Sequence, residues 1–153
     1  MRRIGLDSNI LAYLAGVDHH PSDSVKIDAT QNLFDELEGK ARLIVPSQAL
    51  GELFSVFVRV RGSRDDARDW VCRFQEAFEI ADCGATAMVA AFDLAVAHKL
   101  QLWDALIISA AADVGCTLLL SEDMQNGFSW RGLTIVNPFA EVMNEKLAAL
   151  LAA

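Results

Sequence analysis

The sequence predicts an α/β fold, a three-layer α/β/α sandwich around a central, mainly parallel sheet. Apolar runs at 3–6, 41–45, 116–120 and 133–136 are short and show little polar alternation, as strands buried on both faces do. Stretches with apolar residues at helical spacing separate them, the alternation that builds a parallel sheet covered by helices. Hydrophobic residues make up 53% and charged residues 22% of the 153-residue chain, so it has enough apolar surface for one real core. No repeat, low-complexity tract or linker is visible, and a single domain over residues 1–153 is expected.

The elements follow in order. Residues 3–6 form a strand ending at Asp7, and a helix starts next, with Ser8 or Asn9 able to cap it. Residues 18–24 are polar, contain Pro21 and read as a loop. Val25, Ala29, Leu33, Phe34 and Leu37 recur at helical spacing until Gly39. Residues 41–45 are the second strand, closed by Pro46. Ser47 then caps a helix whose apolar face is Leu50, Leu53, Phe54, Phe57 and Val58. Arg61-Gly62-Ser63 breaks that helix, and Ser63 caps another from about 64 to 76. Residues 78–80 are a short strand and 85–98 an Ala-rich helix. Residues 105–114 form a nearly all-apolar helix ended by Gly115, and 116–120 the clearest strand. Residues 121–132 read as a loop and 133–136 as the last strand. Pro138 is expected to start the C-terminal helix.

Cys72, Cys83 and Cys116 are too few and too scattered for a disulfide framework or a zinc site, and they read as small buried hydrophobes in a reducing compartment. Asp7 and Asn9 interrupt the N-terminal apolar run before it reaches signal-peptide length. No stretch approaches the roughly 18 apolar residues of a membrane span, so a soluble cytoplasmic protein is expected. The net charge of −8 argues against capture of nucleic acid by the whole surface. Five of the thirteen basic residues nevertheless lie within fifteen positions: Arg59, Arg61, Arg64, Arg68 and Arg73. They are either a solvated helix surface or a basic lip able to hold a phosphate backbone.

Four carboxylates stand at element boundaries. Asp7 follows one strand and Asp123 another, Glu52 lies one helical turn past a third, and Asp104 sits near a helix start, where the dipole favours its charge. Taken singly, Asp104 reads as a cap, Glu52 as a surface helix residue and Asp123 as a loop residue. Taken together at the carboxyl end of one sheet, they form an acidic pocket. Like charges raise one another's pKa there, and hard cations such as Mg²⁺ or Mn²⁺ remove the conflict through oxygen ligands. Two such ions about 4 Å apart activate water and stabilise the leaving oxygen of a phosphodiester. Asp7 is the first candidate ligand, then Asp104 and Asp123, then Glu52. Asn9 and Ser121 are placed to orient carboxylates or bound water.

The residues that carry these acids also carry a resemblance. The segment 4–13, Ile-Gly-Leu-Asp-Ser-Asn-Ile-Leu-Ala-Tyr, resembles the first motif of the PIN domain family. The segment 46–53 resembles the second, 102–111 the third and 119–124 the fourth, and with the run of helices the resemblance spans essentially the whole chain. Its nearest group is the VapC-like ribonuclease toxins of bacterial toxin–antitoxin pairs. This implies a Mg²⁺- or Mn²⁺-dependent endoribonuclease with an RNA substrate, an antitoxin partner and a homodimeric state. It places the metal-site acids on Asp7, Glu52, Asp104 and Asp123. The supporting hydroxyl of the last motif, commonly Thr, is Ser121 here, and the further acid that many relatives carry after Asp123 is missing. The alternatives are an RNA-processing nuclease of the same fold without an antitoxin, or a weakly cutting RNA- or protein-binding regulator.

Among the remaining features, Arg61 and Arg64 flank the Gly-Ser turn and are candidate substrate contacts, as is Trp130 beside Arg131, whose ring could stack on a base. Trp103, next to a candidate ligand, reads as part of the site wall. His98 reads as structural, and His19 and His20 have no catalytic spacing. No phosphate-binding glycine loop or nucleophile elbow occurs.

Overall fold

A computed structural model describes residues 1–153. The chain runs β1 (Arg2–Leu6), α1 (Ser8–Leu14), α2 (Asp23–Leu37), β2 (Ala41–Pro46), α3 (Ser47–Arg61), α4 (Arg64–Ala77) and β3 (Glu79–Ala81). It continues through α5 (Ala85–His98), α6 (Leu102–Asp113), β4 (Leu118–Leu120), β5 (Ser129–Trp130), β6 (Leu133–Val136) and α7 (Glu145–Ala152). The six strands form one sheet in the order β3-β2-β1-β4-β6-β5, flanked by helices. Every pairing is parallel except β5 with β6. This is the α/β architecture expected from the sequence.

The sheet order locates the site. From β1 the chain builds outward through β2 to β3, then returns to lay β4 on the other side of β1. The order reverses between β1 and β4, and the carboxyl ends beside such a reversal are where ligands bind in open parallel sheets. Those ends are dry: Ile4, Leu6, Leu118, Leu119 and Leu120 are fully buried. Helix α6 packs against α5, β2 and β6, with Ala105 to Ala111 all buried, so apolar residues on every face suit its place in the core. No helix is long and apolar enough to cross a membrane.

Several boundaries differ from the sequence reading. Asp7, not Ser8 or Asn9, caps α1, accepting the Ser8 backbone N–H. Ser47 is the first residue of α3 rather than its cap. Helix α6 begins at Leu102, which brings Trp103 and Asp104 into its first turn. Ser63 does cap α4, accepting the Asp66 N–H at 3.1 Å. Strand β5 lies in the stretch read as loop. Its turn to β6 uses Arg131 and Gly132, both at positive φ, and Arg-Gly lacks the Asn-Gly or Asp-Gly signature that announces such a hairpin. The C-terminal helix starts at Glu145 under an Asn144 cap, not at Pro138. There the Asn137 side chain accepts the Phe139 N–H at 2.9 Å, and the Phe139 ring meets Tyr13 edge-on at 5.4 Å. That local turn and ring contact hold the segment out of a helix. Of the cysteines only Cys116 is buried, and Cys72 is exposed because it falls on the outer face of α4.

Gly5 is the tightest point of the sheet, since a Cβ there would lie 3.0 Å from Leu119 Cδ1 and 3.1 Å from Ala111 Cβ. Gly5→Val is expected to lower unfolding stability by roughly 1–3 kcal/mol, read from a urea denaturation midpoint. An unchanged midpoint would mean that α6 does not press on β1.

Candidate active site

The site grows from the junction of β1 and β4. The Asp7 N–H donates to Leu120 O at 3.0 Å, and the Ser121 N–H donates to Val136 O at 3.0 Å, so both strand ends are tied by backbone bonds. Asp7 is therefore held under the sheet edge and is only 4% exposed. One carboxylate oxygen accepts the Ser8 N–H at 2.7 Å. The other accepts the Ser121 hydroxyl at 2.7 Å and an Asn9 amide N–H at 3.3 Å.

The other acids are linked to this anchor by short side chains. The Ser8 hydroxyl donates to Glu52 Oε2 at 2.8 Å, joining α1 to α3. The Asn9 amide also reaches Asp123 Oδ2 at 3.3 Å, while its oxygen accepts the Glu122 N–H at 3.1 Å. Ser121 accepts the Met124 N–H at 3.2 Å, which shapes the loop that carries Asp123. Asp104 faces the group from α6 and joins it through charge. Glu52 and Asp104 are half-buried and Asp123 is exposed.

The electrostatics record the crowding. Burial pushes the Asp7 carboxyl up to about 6, opposed by the Ser121 and Ser8 hydrogen bonds and reinforced by Glu52 and Asp104. Glu52 is raised by burial and by the charges of Asp104 and Asp123, against the Ser8 bond. Asp104 is raised by burial and then by Asp123. None of the four acids is ion-paired, and their all-oxygen chemistry suits a hard dication. No three His, Cys, Asp or Glu side chains stand in common ligating reach, however. Holding an ion would take side-chain rotation at Glu52, Asp104 and Asp123, which their exposure permits, around a fixed Asp7.

A cleft of about 530 Å³ opens beside these acids, lined by Ser8, Glu52 and Asp123 and walled by Gln48, Arg59 and Trp103. Of the residues singled out from sequence, Trp103 and Arg59 wall this cleft, while Arg61, Arg64 and Trp130 do not line it. Arg61 donates to Gly16 O at 2.9 Å and pairs with Asp18 at 3.3 Å, and Arg64 is exposed at the start of α4. Trp130 sits in the β5–β6 hairpin under the Arg131 guanidinium, 4.5 Å from its ring centroid. Sequence reasoning gave Ser8 only a helix-capping role and no place in the site, although its position in the first turn of a buried helix was an available signal. It also missed Lys26, which pairs with Glu122 and stands over the Tyr13 and Phe139 rings. No local pattern announces that pair, because the partners are far apart in sequence.

The sequence matches the PIN domain family over residues 4–127, most of the chain and all four acids. The chain belongs to the PIN domain family. Among solved structures it is similar to the VapBC2 complex of Rickettsia felis bound to a DNA fragment from its promoter. That likeness has 19% identity and a TM-score of 0.65, covering 87% of this chain and 96% of the other. It is also similar to VapC20 of Mycobacterium tuberculosis, a sarcin–ricin loop-cleaving toxin, at 16% identity and a TM-score of 0.60. There the match covers 76% of this chain and 86% of the other. At these identities the likeness is one of fold. No curated protein sequence matches the chain.

The buried Asp7 carboxyl is expected to make the stability of this chain depend on pH. The folded protein holds its proton up to about pH 6, whereas the unfolded chain releases it near 3.8. The metal-free protein therefore binds more protons folded than unfolded between those values. Asp7's contribution to stability falls as pH rises through that window, by about 3 kcal/mol, and the raised Glu52 and Asp104 act in the same direction. Asp7→Asn removes the charge and is expected to be at least as stable as the parent at pH 8 in EDTA, with a flatter stability profile between pH 4 and 7. A parent that gains stability on going from pH 5 to 7 would refute this account of Asp7.

Proposed function

We propose that the chain is a Mg²⁺- or Mn²⁺-dependent endoribonuclease that hydrolyses RNA phosphodiester bonds. We place it as the toxin of a type II toxin–antitoxin pair, acting as a homodimer and held in check by an antitoxin. The observation that carries this reading is the linkage of Asp7, Glu52 and Asp123 through Ser8 and Asn9, with Asp104 facing them, at the point where the sheet order reverses. The described RNA target of one structural neighbour supports RNA over DNA, and the toxin–antitoxin complex of the other supports a protein partner.

In this reading Asp7 is the rigid ligand, with Asp104, Asp123 and Glu52 completing the set. A bound dication would supply a polarised water and stabilise the leaving oxygen. Ser121 and the Ser8 N–H hold the Asp7 carboxylate in one orientation, and Asn9 keeps Asp123 in register with it. Glu52, fixed by Ser8, and Asp104, free of side-chain hydrogen bonds, are the carboxylates open to receive a proton from the attacking water. Arg61 and Arg64 would contribute long-range attraction for the phosphate backbone rather than contacts at the cleft. The net charge of −8 favours one second reading, a weakly cutting regulator of the same fold.

Purified protein should cleave single-stranded RNA with Mg²⁺ or Mn²⁺ and stop in EDTA. Asp7→Asn and Asp104→Asn should each lower the rate by at least about 10²-fold while the circular dichroism spectrum stays that of the parent. Undiminished cleavage in both variants would sink the mechanism. Suppression of cleavage by the product of an adjacent small gene would separate a toxin from an RNA-processing nuclease.

A further inference from the structure

The α3 wall of the cleft carries features that the fold does not require. Gln48, Glu52, Ser55 and Arg59 recur at helical spacing along one face and all line the cleft, so a molecule lying in it runs along the helix. Gly51 lines the same wall. It sits inside a 15-residue helix without positive φ, and a Cβ there would meet nothing within 4 Å. A helix-interior glycine is less stable than alanine by roughly 1 kcal/mol, and neither packing nor backbone geometry calls for one at this position. What a side chain would obstruct is the cleft itself.

Two further residues give that wall a chemical character. Arg59 is exposed, borders both the main cleft and an adjoining one of about 230 Å³, and takes part in none of the chain's ion pairs. Of the neighbouring arginines, Arg61 pairs with Asp18, Arg68 with Asp65 and Asp69, and Arg73 stands over the Trp70 ring, while Arg64 is also unpaired but does not line the cleft. Arg59 is thus an unneutralised cation facing a cleft otherwise charged by acids. Trp103 lines the same cleft with 58% of its surface exposed, an apolar ring carried by the first turn of α6.

A free guanidinium, an open indole face and a helix surface stripped of its side chain together match a single-stranded polynucleotide. Such a strand offers alternating phosphates and unstacked bases. We propose that the α3 face from Gln48 to Arg59, with Trp103, seats the strand that flanks the bond to be cut. Arg59 pairs with a backbone phosphate, Trp103 stacks on a base, and Gly51 lets the sugar–phosphate chain lie close to the helix. This rests on the ribonuclease reading and adds to it the residues that would seat the unpaired strand, since a base inside a duplex cannot stack on Trp103.

The test is an anisotropy titration of a fluorescein-labelled, random-sequence single-stranded RNA of about 12 nucleotides. It uses the full-length chain in Mg²⁺ on an Asp104→Asn background that stops turnover. Arg59→Ala should weaken binding roughly tenfold at low salt and reduce the slope of log K against log salt by about 0.7. Trp103→Ala should weaken binding roughly tenfold at every salt concentration with the slope unchanged, while Trp130→Ala stays within about twofold of the parent. Gly51→Ala should raise Tm by about 2–4 °C and still bind more weakly, a combination that a purely structural glycine would not produce. Parent-like binding by the Arg59 and Trp103 variants, or equal losses for Trp103→Ala and Trp130→Ala, would overturn the subsite and leave the ribonuclease reading standing. No binding by the parent, together with no metal-dependent cleavage, would overturn the ribonuclease reading and the subsite with it.

Discussion

The carboxylate of Asp7, locked at the seam between β1 and β4, is the constraint on which the rest of the site depends. Its backbone N–H is bonded to β4 and its side chain to Ser121 just beyond β4, so the two strands that flank the sheet reversal are joined twice at one residue. Burying an ionised carboxylate is costly even when its oxygens are hydrogen-bonded, and here the neighbouring acids add to that cost. Three short polar residues, Ser8, Asn9 and Ser121, fix the group and offset part of that cost. Each also makes a second bond that sets a neighbouring acid or its loop, so orientation spreads outward from Asp7 to Glu52 and Asp123.

The outer parts of the site are looser for a physical reason. Glu52, Asp104 and Asp123 come from α3, α6 and the β4 loop, and they are exposed enough to be solvated. Water relieves their repulsion, so they need no common contact in the metal-free protein, and none holds three of them together. The Lys26–Glu122 pair, stacked over Tyr13 and Phe139, ties the loop after β4 to α2 and to the segment after β6. That clamp fixes the backbone beside Asp123 while the Asp123 side chain stays exposed. A rigid anchor with adjustable partners is suited to an ion whose coordination is completed on binding.

The parts of the fold legible in the sequence were those governed by local periodicity. The buried strands around Ile4, Ile44, Leu119 and Ile135 read directly from apolar runs, and α2 to α6 from helical spacing and from breakers such as Gly62. Strand β5 was not legible, because its turn relies on Arg131 accepting positive φ, an uncommon use of a residue with a Cβ. The start of α7 was misplaced because Pro138 is a good first helical residue only if the chain continues into a helix. There the Asn137 turn and the contact of Phe139 with Tyr13 take precedence. The basic cluster showed the same limit. Composition drew attention to arginines 59 to 73, but which of them faces the cleft depends on helix phase and on partners such as Asp18 and Trp70.

By itself the sequence determined the layered α/β architecture and the family and pointed to the four candidate acids, because apolar periodicity and short motifs are properties of neighbouring residues. Only the tertiary structure decided that these acids gather around the β1–β4 reversal, that Asp7 alone of them is buried, and that Arg59, not Arg61, Arg64 or Trp130, joins Trp103 in walling the cleft. Those outcomes depend on strand order and helix phase, which bring together residues more than a hundred positions apart, and no window along the chain contains both sides of such a contact.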